Sequence, residues 1–195
     1  MPGPTKTCID ASSSAASERA PATHTTATLT LRAGTRDDAA LLGRMHARSW
    51  QSTYRGIMSD AFLDHPVLAE RDTHWQDKMR EWDPAHGAIW IVERDGEPIA
   101  FANVLDNHDP QHGVYLDHLH VMPGNKGSGA GKRLIAAAEQ WAREHGLSRM
   151  HLLVWEANLA ARGFYEHLGW SCIEKFEDQL VETRAMACRY GRDLP

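Results

Sequence analysis

Hydrophobic and polar positions change rhythm several times along this chain, and each change marks an element. Residues 28–33 alternate threonine and leucine with the period of two expected of a half-buried strand. Thr35 then offers an N-cap oxygen ahead of Asp37 and Asp38 in the first turn of a helix, whose buried stripe is Leu41, Leu42 and Met45. Residues 46–64 carry Trp50, Tyr54 and Phe62 and are interrupted at Gly56 and Ser59. Residues 67–81 return to helical spacing and predict a helix with Leu68, Trp75 and Met79 inward. Two apolar runs, 88–93 and 98–105, flank Asp95-Gly96, the dipeptide of a tight hairpin, so the sheet begins antiparallel. A polar loop follows over 106–113.

The sharpest change falls between residues 115 and 145. Tyr115, Leu116, Leu119 and Val121 predict a strand that ends at about Met122, because Pro123 has no N–H for a ladder. Leu134, Ile135, Ala138, Trp141 and Ala142 then recur at helical spacing opposite Lys132, Arg133, Glu139, Arg143 and Glu144, predicting a helix from near Ala130 to Gly146. Between them lie Lys126, Gly127, Ser128, Gly129, Ala130 and Gly131. Glycines there bring the backbone close to a ligand, and the first-turn amides with the helix dipole favour an anion, most naturally phosphate. Residues 150–155 form a further strand, parallel to the first across the helix. A helix over 159–168 ends at Gly169, and 170–174 with 183–190 close the sheet as an antiparallel pair. The fold class expected is α/β (α+β): one mixed, largely antiparallel sheet with a central parallel strand-helix-strand unit, flanked by helices.

Composition bounds the domain and its surroundings. Residues 1–27 are rich in Ala, Ser, Thr and Pro with almost no large apolar side chain, so a disordered tail is expected there and a single domain over 28–195. The net charge of −5 and pI near 6.2 argue against a nucleic-acid groove. No stretch reaches the ~18 apolar residues of a membrane span, and no signal-peptide core is present. Three cysteines, Cys8, Cys172 and Cys188, have no metal-ligand spacing and suit a reducing compartment, so a soluble cytoplasmic protein is expected.

What the glycine loop lacks narrows its ligand. A Walker A loop would need glycine where Lys126 stands and Ser or Thr where Arg133 stands; a dinucleotide fingerprint counted from Gly127 would need glycine where Lys132 stands. The order strand, Val121-Met122-Pro123, then Lys126-Gly127-Ser128-Gly129-Ala130-Gly131 at a helix start resembles instead the pyrophosphate loop of the GNAT superfamily of acyl-CoA-dependent N-acyltransferases. Lys126 stands where that family usually has Arg or Gln, keeping the charge without the planar fork. A second block, residues 152–170, is similar to the family's strand, Asn, helix and Tyr-x-x-x-Gly-aromatic segment, here Asn158, Tyr165, Gly169 and Trp170.

The resemblance implies an acetyl-CoA-dependent N-acetyltransferase acting on a primary amine. It places acetyl-CoA on Leu119, His120, Val121, Lys126, Gly127, Ser128, Gly129, Ala130, Gly131, Lys132 and Asn158, and the acceptor against Trp50, Tyr54 and Tyr115. Tyr165 matches the family's general-acid tyrosine. An ammonium acceptor must lose a proton before attack, and Asp117, His118 and His120 remain open as the base, with the family pattern favouring Asp117. On a regular strand Asp117 would share a face with Tyr115 and Leu119, with His118 and His120 on the other, unless a bulge intervenes.

Each residue also has a plainer role: Asp117 as partner to a basic group, Tyr165, Trp50 and Tyr54 as packing, Asn158 as a helix cap. His118 and His120 have metal-compatible spacing without a third ligand, and no metal is expected. A small-molecule acceptor is favoured over a peptide acceptor or a non-catalytic acyl-CoA sensor. No nucleic acid or membrane partner is expected, and a homodimer is left open.

Overall fold

Alternating segments pair into one sheet, and the helices cover both of its faces. The computed structural model describes residues 28–106 and 109–194; the expected tail, 1–27, lies outside them. The strands are β1 (Leu29–Ala33), β2 (Gly87–Arg94), β3 (Glu97–Leu105), β4 (Val114–Val121), β5 (Arg149–Trp155), β6 (Ser171–Leu180) and β7 (Thr183–Asp193). The helices are α1 (Ala39–Thr53), α2 (Asp60–Asp64), α3 (Pro66–Glu81), α4 (Ala130–Glu144) and α5 (Leu159–His167). The sheet order is β1-β2-β3-β4-β5-β7-β6, and every neighbouring pair is antiparallel except β4 with β5. This is the mixed sheet with a parallel strand-helix-strand unit that the hydrophobic pattern predicts.

β3 is buried over six successive residues because both its faces are covered. On one face Leu134, Ile135 and Ala138 of α4 pack with Val104, Val114, Leu116 and Leu152. On the other, Leu42 and Met45 of α1 and Trp75 and Met79 of α3 pack with Ile89, Ile91 and Phe101. A third cluster ties Ala47, Trp50, Phe62 and Val67 to Trp155 and Ala187. Truncating a side chain such as Leu42, fully buried, to alanine removes about 2–5 kcal/mol of stability.

Four expectations change. α1 runs on to Thr53, since nothing before Gly56 breaks it, and so carries His46, Ser49 and Trp50 as one buried strip. Leu68 points outward at 50% exposure. The inward stripe of α3 is Val67, Arg71, Trp75 and Met79, four residues apart, which leaves Leu68 about 100° away. The last hairpin is longer than its apolar residues suggest, and β7 inserts between β5 and β6. Its outer strand is charged, held by pairing and by contacts such as Arg189 Nε to Glu174 Oε2 at 3.0 Å. The fourth change, in β4, belongs to the site.

Candidate active site

β4 and β5 pair only at Val114 with Met150 and at Tyr115 with His151. Beyond that the β5-facing edge of β4 has no strand partner, and a cavity of about 970 Å³ opens between the strands. That is the size of a small-molecule site. Every site residue expected from the sequence lines it, from Trp50 and Tyr54 through Tyr115, Asp117 to Val121 and the glycine loop to Asn158 and Tyr165.

The bulge in β4 overturns the regular alternation. His118 pairs with Asn103 and Leu116 with the next residue, Val104, so Asp117 is the extra residue of the strand. Asp117 and His118 therefore both turn toward α1 and α3: Asp117 meets Lys78, and His118 meets His46 and Trp75. His120 joins them against His46 and Phe101, while Leu119 packs with the α4-side core. The expected separation of Asp117 from the two histidines is thus corrected.

At one end of the cavity, the loop fits a diphosphate. Gly129 is the N-cap of α4 at φ 87°, and neither it nor Gly127 has anything within 4 Å of where a Cβ would stand. The backbone amides of Gly127, Gly129, Gly131 and Lys132 make no hydrogen bond among the described residues. Open space, unused donors at a helix N-terminus and the adjoining Lys126 and Lys132 together make an anion cradle.

In the middle, Asp117 Oδ2 lies 2.7 Å from Lys78 Nζ and 3.0 Å from His118 Nδ1, the second contact in ion-pair range but off the angle of a hydrogen bond. Burial pushes the Asp117 carboxyl up most strongly, yet His118 and Lys78 together outweigh it and hold the acid below its ordinary range. His120 Nδ1 is 2.9 Å from Ser49 Oγ, and burial followed by His118 and Arg71 lowers its pKa to about 3. His74 is lowered to about 4 by burial, then by His118, Arg71 and Lys78. Among the described residues no group of His, Cys, Asp or Glu is arranged to hold a metal ion.

At the far side, Tyr165 is 7% exposed and packs near Trp170 and Tyr190. Burial first, then Tyr54 and Tyr115, raise its pKa above the ordinary phenol value, so the hydroxyl stays protonated. Asn158 caps α5, its Oδ1 accepting from Ala161 N at 3.2 Å, and it lines the cavity together with Tyr54. Trp50 and Tyr54 stand 5.6 Å apart, edge to face, and Tyr115 stacks on His151 at 4.9 Å. These aromatics pack on neighbouring rings and line the cavity at the same time.

Sequence reasoning missed His46, Ser49, Glu70, Arg71, His74 and Asp178, which also line the cavity, and Lys78, which pairs with Asp117. One signal was available. His46, Ser49 and Trp50 lie three and four residues apart, as do Glu70, Arg71 and His74, so each polar set falls on one helix face.

Among the described residues, no helix is long and apolar enough to cross a membrane. The model of the acetyltransferase (GNAT) family matches residues 50–170. The chain is 27% identical to the aminoglycoside N(6')-acetyltransferase type 1 of Salmonella typhimurium over 144 residues, covering 71% of this chain and 94% of that protein. It is 30% identical to the mycothiol acetyltransferase of Beutenbergia cavernae, covering 69% of this chain and 50% of that one. In fold it is similar to the PaiA N-acetyltransferase of Thermoplasma acidophilum, solved with coenzyme A, at a TM-score of 0.69 and 17% identity over 85% of this chain and 99% of that one. A GCN5-related N-acetyltransferase of Rhodopseudomonas palustris gives the same TM-score, 0.69, at 19% identity over 88% and 99%. With the family match spanning most of the fold and enclosing the glycine loop, β4 and Tyr165, the chain belongs to the GNAT family and is an acetyl-CoA-dependent N-acetyltransferase.

Proposed function

We propose that the protein acetylates a primary amine of a small molecule, with His118 as proton acceptor, Asp117 as its charged partner and Tyr165 as proton donor. The observation that carries this is the sharing of Asp117 Oδ2 between Lys78 and His118. A carboxylate held below its ordinary pKa is a weak base, but it stabilises an imidazolium beside it. Of the four cavity histidines, 46, 74, 118 and 120, only His118 lies within ion-pair range of a carboxylate among the described residues. A proton taken from an acceptor ammonium therefore finds a counter-charge beside the ring there.

Acetyl-CoA, when bound, supplies a thioester carbonyl for the amine to attack. The loop amides and Lys126 hold its diphosphate, and Asn158 lies beside its arm. The buried Tyr165 hydroxyl donates the proton that the departing sulfur takes up. Trp50, Tyr54 and Tyr115 exclude water and hold the acceptor by its apolar surface.

The small-molecule acceptor is supported by the aromatic side chains that line the cavity and by the likeness to aminoglycoside N(6')-acetyltransferases. An acceptor panel of amino sugars, polyamines, amino acids and peptides, with acetyl-CoA and thiol detection, tests it. Turnover confined to peptides would overturn the substrate class. Binding of acetyl-CoA with no turnover on any acceptor would favour a sensor instead.

A further inference from the structure

His46 is a deeply buried titratable group on the cavity wall to which the proposed reaction gives no part. It is 1% exposed on α1, and Trp75 of α3 donates its indole N–H to His46 Nδ1 at 3.0 Å. An indole nitrogen only donates, so Nδ1 must offer a lone pair, and the neutral ring carries its proton on Nε2. Burial above all, then His120, His118, Arg71 and His74, keep the ring from charging. That Nε2–H is buried and unpartnered among the described residues, as is His74 Nε2, whereas His118 Nδ1 faces Asp117 Oδ2 at 3.0 Å. The His46 ring centroid lies 4.8 Å from His118, 4.4 Å from His120 and 6.1 Å from His74.

An unmet buried donor costs about 1–3 kcal/mol, so native proteins meet such groups with water or ligand. Two unmet ring nitrogens, His46 Nε2 and His74 Nε2, on one wall of the cavity beside His118 define a polar niche rather than a packing fault.

We infer that His46 is a positioning residue for proton removal: locked by Trp75, its Nε2–H donates to a water held between it, His74 and His118. With that donor fixed, the water turns one hydrogen to His118 and a lone pair to the acceptor ammonium. One ammonium N–H bond breaks and leaves its electron pair on nitrogen. The water oxygen takes that proton as its own hydrogen passes to His118 Nε2, and the Asp117 carboxylate, on the Nδ1 side, offsets the imidazolium charge. The relay rests on His118 as the acceptor. The groups facing it are His46 and Ser49 from α1, Asp117 and His120 from β4, and Arg71, His74 and Lys78 from α3.

The test compares His46→Phe, His46→Gln and Trp75→Phe with wild type. Nitrogen-15 imidazole spectra of the wild-type protein should show His46 as a single Nε2–H tautomer, and a mixture or an Nδ1–H form would overturn the inference without any variant. His46→Phe should slow single-turnover acetyl transfer by on the order of 10²-fold and shift the acid limb of its pH profile. The acceptor KM and the rise in melting temperature with CoA should stay near wild type. His46→Gln, which keeps an N–H, should recover part of the rate. Trp75→Phe should release the tautomer; it bears on the question only where its melt is cooperative, and the His46 pair decides otherwise. A folded His46→Phe with wild-type rate and pH profile, beside an impaired His118→Gln, would reject the relay and keep His118 as base. A fully active His118→Gln would instead reject the base assignment, and the relay with it.

Discussion

Lys78 Nζ lies 2.7 Å from Asp117 Oδ2, with the two side chains only 18% and 17% exposed. Removing one charge of such a pair leaves the other poorly solvated, so Asp117→Asn should cost about 1–3 kcal/mol of stability. Adding Lys78→Met should recover part of it, because the partners are coupled. The folded-state pKa of Asp117 is lowered, so its contribution is present above the unfolded value of ~3.9 and is lost as pH falls through the folded one. Urea melts should therefore show the full gap between wild type and Asp117→Asn at pH 5–7 and a shrinking gap below about pH 4. A gap that stays constant down to pH 3 would count against the pair.

Three histidines on the cavity wall give the next pH window up its slope. His46, His74 and His120 are all lowered, first by burial, the last two to about 4 and about 3. Unfolded histidine takes a proton near ~6.5. Between about pH 6.5 and 4 the unfolded chain thus binds more protons than the folded one, and stability falls as pH falls. Melts across that window should report an uptake of about three protons from these residues. His120→Gln should remove about one of them.

Most of the fold was legible because most elements bury one face. The span of α4 follows from period, the hairpin from the Asp95-Gly96 dipeptide between two apolar runs, and the parallel β5 from the crossover through α4. The glycine loop was legible for a different reason, since Gly129 at φ 87° marks a backbone position that other residues adopt at a cost. β6 was shortened because its charged alternation carries no hydrophobic signal. The register of β4 was hidden: a bulge is decided by pairing with β3, and no residue in the run from Tyr115 to His120 announces it. That one extra residue moves Asp117 beside His118 and Lys78, so the face that Asp117 shares could not be assigned from alternation.

Gly43 sets how closely α1 approaches α3. A Cβ there would stand 2.9 Å from Asp72 Cα, a backbone atom that cannot turn aside. Gly43→Ala gains helix propensity but forces the helices apart, and overpacking of this kind costs about 1–3 kcal/mol. The same movement separates His46 from Trp75, so loss of stability should be accompanied by loss of the fixed His46 tautomer. Thermal melts and imidazole spectra of Gly43→Ala check the two effects together.

Gly129→Glu places a side chain and a negative charge where the cradle is open. Wild type should be stabilised by CoA through mass action, by about 2.7 kcal/mol at a hundredfold excess over Kd. Gly129→Asn is the control, since asparagine tolerates positive φ and adds no charge. The asparagine variant should retain much of the CoA-dependent rise in melting temperature and the glutamate variant should lose it. An equal rise in both would remove the loop from the binding site.

Tyr165→Phe separates proton donation from packing, because it deletes one hydroxyl and leaves the ring against Trp170 and Tyr190. As a general acid Tyr165 should contribute about 10²–10⁴-fold to acetyl transfer, visible in single-turnover rates even where product release limits kcat. Its folded pKa is raised by burial and by Tyr54 and Tyr115, so the phenol stays protonated above pH 10. The direction of the shift fixes the pH signature: wild type should show no loss from Tyr165 ionisation up to about pH 10, and the variant should be slower by a constant factor across that range. A leaving group less basic than the CoA thiolate needs less help from an acid, so a thioester of a more acidic thiol should narrow the difference between the two proteins. Equal narrowing for Asn158→Ala, which alters a residue beside Tyr54 without touching the phenol of Tyr165, would show that the effect comes from positioning and would withdraw the donor role.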